Sequence, residues 1–67
     1  MRHIVLMLLI LVGDCVMLTK GVFKGSYWTV TAVNEDGTYD LKDKDWTLPR
    51  VRGSYVTQAH IWECKDN

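Results

Sequence analysis

The stretch Gly13-Asp-Cys-Val-Met-Leu-Thr-Lys-Gly-Val-Phe-Lys-Gly-Ser-Tyr-Trp-Thr-Val-Thr-Ala-Val33 decides how the rest of the chain is read. Asp14 to Thr19 alternates, with Val16 and Leu18 on one face and Cys15 and Met17 on the other, as a half-buried strand requires. Gly21 and Gly25 bracket Val22, Phe23 and Lys24, and glycine at both ends supplies the positive φ of a tight excursion. Tyr27 to Val33 is β-branched and aromatic and predicts the longest strand.

Working outward, Asn34 to Gly37 predicts a four-residue hairpin loop with Gly37 in the left-handed position, and Thr38 to Lys42 returns with Tyr39 and Leu41 on one side. Asp43, Lys44 and Asp45 form a charged tip. Trp46 and Leu48 then share a face until Pro49, which lacks a donor and is expected to end strand pairing. Arg50 to Ser54 reads as a turn around Gly53. A last run from Tyr55 to Trp62 alternates again. Five short strands with close turns predict an all-β unit, a small five-stranded barrel over residues 13–67.

Size and charge narrow the functions available. A chain of 67 residues has room for one domain. It buries only about 60% of the surface that its unfolded form exposes, so a staple or a partner is expected. Eight Lys and Arg balance eight Asp and Glu, which removes any overall field for nucleic acid. The charges segregate locally, with Lys20 and Lys24 before an acidic block from Glu35 to Asp45, and Arg50 and Arg52 after it.

Residues 1–12 open with Arg2 and continue through uninterrupted apolar side chains from Ile4 to Val12. The run is too short for the ~20 residues of a membrane-spanning helix. Two readings stand: an extra strand that drives homo-oligomerisation in a cytoplasmic protein, or the leader of an exported one. Contact with a membrane enters only if this segment acts as an anchor.

The residues from Gly13 to Gly25, in the pattern G-D-x-V-x-L-x-x-G-x-F-K-G, resemble the opening of KOW-type modules of ribosomal and transcription-elongation proteins, with Trp28 standing where that pattern has glycine. Val33 to Leu41, V-N-E-D-G-T-Y-D-L, followed by the acidic tip and L-P-R-V, resembles the central hairpin of Tudor-like domains. Both families are SH3-like barrels, so the resemblance implies that architecture. The Tudor likeness implies an aromatic cage for a methylated Lys or Arg, at Phe23, Tyr27, Tyr39 and Trp46, with Asp43 or Asp45 as the acid beside the cation. The KOW likeness implies contact with RNA, or with a protein of the transcription or translation machinery, through the first loop.

The expected function is therefore a non-enzymatic binding module for a protein partner, using Phe23, Lys24, Tyr27, Tyr39, Asp43 and Trp46. The alternative is nucleic-acid binding through Lys20, Lys24, Arg50 and Arg52, with Phe23 as a stacking platform. No cofactor is expected. His3, Cys15, His60 and Cys64 have no zinc-ligand spacing, and His60 near Glu63 lacks the third partner that acid–base chemistry would need.

In SH3-like barrels the first and last strands pair antiparallel, which would bring Cys15 near Cys64. A disulfide there closes a loop of about 50 residues and contributes about 4 kcal/mol by chain-entropy arguments. In a reducing cytosol the two remain thiols.

Overall fold

The strands are antiparallel throughout and form a single sheet in the order β4-β3-β2-β1-β5, where β1 is Cys15–Leu18, β2 is Tyr27–Val33, β3 is Thr38–Lys42, β4 is Thr47–Arg52 and β5 is Val56–Gln58. This computed structural model describes residues 9–65. Two one-turn 3-10 helices complete it, η1 at Gly53–Tyr55 and η2 at Ile61–Cys64. The first and last strands pair, with Met17 opposite Thr57.

The inward faces of β1, β2 and β3 supply the core. Val16, Leu18, Trp28, Val30 and Leu41 are buried, and Ile10, Tyr39, Leu48, Val51 and Val56 pack around them. Each large apolar side chain removed from water stabilises by roughly 1.5–3 kcal/mol. Trp28 is the largest of them. Its indole N–H would be costly to bury unpaired, and it donates to Ser26 Oγ at 2.6 Å. Position 28, where the KOW pattern has glycine, thus holds the largest side chain of this core.

The Asn34–Gly37 loop has the expected geometry. Gly37 takes φ 86°, and the Asn34 amide donates to the Thr38 carbonyl at 2.8 Å. Gly53 answers a different need, close approach. A Cβ there would stand 3.3 Å from the Gly37 carbonyl oxygen and 3.5 Å from the Tyr39 ring.

Three expectations are corrected. Pairing does not end at Pro49: Leu48 pairs with Leu41 before it and Val51 with Tyr39 after it, across a register shift. Such a bulge needs no ladder donor from proline. Arg50 absorbs the extra residue at φ 53°, and its amide donates to Asp40 Oδ1 at 2.9 Å instead of to the ladder. The run from Tyr55 to Trp62 is not one strand, because only Val56–Gln58 pairs and Ile61–Cys64 coils into η2. Trp46 lies outside β4 and does not share the buried side of Leu48; it is 59% exposed.

The sheet is also open. β4 and β5 are its two ends and are not hydrogen-bonded to each other. Of the apolar segment expected at 1–12, residues 1–8 lie outside the described residues. Leu9 to Val12 form no strand; Ile10 packs on the core, while Leu9, Leu11 and Val12 are exposed.

Candidate functional site

The first loop, between β1 and β2, is closed by its own backbone. Gly21 and Gly25 take φ 88° and 90°. The Gly25 amide donates to the Leu18 carbonyl at 2.7 Å and the Lys24 amide to Gly21 at 3.2 Å. Ser26 then ties the loop to the core, since its hydroxyl donates to the Phe23 carbonyl while accepting from the buried indole of Trp28. The ring of Phe23 is held edge-on against Trp28, with centroids 5.5 Å apart.

The β3–β4 tip is braced by Asp43. Its Oδ1 accepts from the amides of Asp45 at 2.8 Å and Trp46 at 2.7 Å, and the Asp43 amide donates to the Trp46 carbonyl at 2.9 Å. This carboxylate is thus engaged in shaping the turn that projects Trp46. The Trp46 ring comes within 6.3 Å of Phe23, tilted by 50°. Val22, 97% exposed, precedes Phe23 in the loop. Two loops far apart in the chain thereby present one aromatic ridge, flanked by the exposed Lys24.

The other expected residues stand elsewhere. Tyr39 packs against the core, near Gly53 at the opposite end of the β2–β3 hairpin. Tyr27 precedes Trp28 on β2 and therefore points to the other face of the sheet, where it lines a cleft with Met17, Thr57 and Glu63. The four aromatic positions of a cage therefore do not converge; Phe23 and Trp46 do.

The basic set is dispersed over the surface. Lys20 Nζ lies 5.4 Å over the ring of Tyr55. Arg50 Nη1 donates to Asp36 Oδ2 at 3.0 Å. Lys24 is exposed on the first loop and Arg52 is exposed opposite Thr38. Asp36 and Asp40 are both held below the ordinary carboxylate value. For Asp36 the main cause is the hydrogen bond from the Thr38 hydroxyl, with the Thr38 amide next and Arg50 contributing less. For Asp40 it is the Arg50 amide first and the Asn34 side chain second.

Cys15 and Cys64 form a disulfide, with Cα atoms 5.8 Å apart. Both are buried. Cys15 points away from Val16 and Leu18, and η2 covers it. Beside this bond the sequence reading missed a feature: Asp14, Gln58, His60, Ile61 and Trp62 line one groove. The alternation from Tyr55 to Trp62 concealed it, and the available signal was the pairing of Cys64 with Cys15, which forces the chain to turn back over β1.

Among the described residues no group of His, Cys, Asp and Glu is arranged to hold a metal ion, and no helix is long and apolar enough to cross a membrane. Comparison with protein-family models, with curated proteins and with solved structures finds no match for this chain.

Proposed function

We propose that the chain is a non-enzymatic binding module of the SH3-like class that takes a protein partner on the Phe23–Trp46 ridge. The class is supported by β1 standing between β2 and β5, with a single 3-10 turn between β4 and β5, beside the KOW-like and Tudor-like sequence patterns. The observation that carries the surface is the meeting of two exposed aromatic rings from separate loops, 6.3 Å apart. Aromatic anchors held in advance by a rigid scaffold lose little conformational freedom on binding, and such residues dominate interface energies.

Capturing partners with the full chain and with a Phe23→Ala/Trp46→Ala variant tests this. A variant that stays folded and loses the partner supports the surface; one that stays folded and keeps it sinks the reading. Salt dependence separates nucleic acid from protein as the ligand. Phosphate contacts through Lys20, Lys24, Arg50 and Arg52 would make affinity fall steeply with salt, whereas an aromatic-anchored interface responds weakly.

The Cys15–Cys64 bond supports a second element of the proposal: the chain works in an oxidising compartment. Cell fractionation of the full chain, with thiols trapped by alkylation at lysis, tests it. Recovery in the cytosol with both thiols free would overturn it.

A further inference from the structure

At the other end of β1 from the first loop lies a groove of about 500 Å³, independent of the Phe23–Trp46 ridge. Asp14 and Cys15 enter it from the start of β1, Gln58, Ala59 and His60 from the end of β5, and Ile61 and Trp62 from η2. The Cys15–Cys64 bond fixes η2 across this end of the sheet, and the Ala59 amide donates to the Cys15 carbonyl at 2.9 Å.

One wall is aromatic and preset. The rings of His60 and Trp62 stack with centroids 4.3 Å apart and planes within 6°, yet Trp62 remains 61% exposed. Polar groups that are also preset line the same groove. Asp14 Oδ2 accepts both the Leu11 amide at 2.9 Å and Gln58 Nε2 at 3.2 Å, which locks carboxylate and carboxamide together. Asp14 Oδ1 and Gln58 Oε1 have no hydrogen bond among the described residues, and neither does the Trp62 indole N–H.

We infer that this groove binds a neutral oligosaccharide, stacking a pyranose ring on Trp62 while Asp14, Gln58 and His60 hydrogen-bond its hydroxyls. A pyranose has an apolar C–H face and a rim of hydroxyls that each donate and accept. The groove matches both properties: a flat indole, acceptors at Asp14 and Gln58, and donors at the indole and imidazole N–H groups. A cation fits less well. The indole and imidazole N–H donors would find no acceptor on a cation, whereas sugar hydroxyls accept from both. Because the wall and the polar pair are fixed before binding, a ligand does not bear the loss of freedom of ordering them.

The test uses the full, oxidised chain and amide NMR titrations with cellotriose and with N,N′,N″-triacetylchitotriose, and tetramethylammonium as the cation control. Saturable shifts at Asp14, Gln58 to Trp62 and the Trp62 indole N–H, with Phe23 and Trp46 unmoved, are expected for at least one sugar. Trp62→Ala, at an exposed position, should weaken that binding about tenfold or more with the Trp28 indole resonance unchanged, and Gln58→Ala should weaken it by a smaller factor. No saturable shift with either sugar at millimolar concentration overturns the inference. So does binding that survives Trp62→Ala, or saturation by tetramethylammonium alone. If Trp62→Ala loses the Trp28 resonance, Gln58→Ala decides, and unchanged affinity there overturns the assignment.

Discussion

The ring of Phe23 lies 6.3 Å from that of Trp46, joining the loop after β1 to the tip between β3 and β4. An aromatic pair of this kind carries about 0.5–1.5 kcal/mol beyond the area it buries. Exposure of Trp46 puts the expected coupling toward the low end. A double-mutant cycle with Phe23→Leu and Trp46→Leu should therefore return a coupling near 0.5 kcal/mol in urea unfolding. Strict additivity of the two substitutions would mean that the ridge does not form in solution.

The bond between Cys15 and Cys64 spans 49 positions and ties η2 over β1. Closing so long a loop restricts the unfolded chain, so reduction should lower the unfolding free energy by about 4 kcal/mol. Small domains often hold little more than ~5 kcal/mol in total, so the reduced chain should be largely unfolded in mild urea. Urea midpoints with and without dithiothreitol check this, and equal midpoints would contradict it. A thiol assay of the denatured, unreduced protein should find no free thiol from this pair.

Much of the sheet was legible because single residues constrained it. Gly37 demands a hairpin turn, Gly21 and Gly25 demand a looped excursion, and the alternation of Val16 and Leu18 names the buried face. What stayed hidden depended on partners distant in sequence. Pro49 reads as a strand end until Asp40, on the neighbouring strand, is seen to take the amide of Arg50. Tyr27 and Tyr39 are aromatic like Phe23 and Trp46, but strand parity sends one to the far face and packing holds the other against the core. Ile61 and Trp62 continue a strand pattern, and the disulfide at Cys64 overrides it.

Acid should weaken the β3–β4 half of the sheet first. Asp36 and Asp40 have folded values below the ordinary 3.8, through hydrogen bonds from Thr38 for the first and from the Arg50 amide and Asn34 for the second. A depressed folded value means that the unfolded chain binds protons more readily. The stabilisation is therefore complete above the ordinary carboxylate value and is lost as pH falls through the lowered ones. Both groups are exposed, so the effect is modest and screened. Urea midpoints measured from neutral pH to pH ~2 should decline at the acid end, and Asp36→Asn with Asp40→Asn should flatten that decline. An undiminished acid slope in the double variant would assign the effect to other carboxylates.

Arg50 is the one described non-glycine residue with positive φ, at 53°, and the bulge in β4 depends on it. A side chain in the left-handed region costs roughly 1–2 kcal/mol. In return the amide reaches Asp40 at 2.9 Å and the guanidinium reaches Asp36 at 3.0 Å, an exposed pair whose contribution is small and screened by solvent. Arg50→Gly relieves the backbone while losing the ion pair and loosening the unfolded chain, so its net change should stay within about 1 kcal/mol. Arg50→Asn keeps a residue that tolerates this region and should behave similarly. Arg50→Val adds a β-branched side chain at the same φ and should destabilise by more than ~1 kcal/mol. The expected order of urea midpoints places valine well below glycine and asparagine. A valine variant as stable as the glycine one would mean that the bulge is not held in the left-handed conformation, and the Asp40 bond to the Arg50 amide would then have to be abandoned with it.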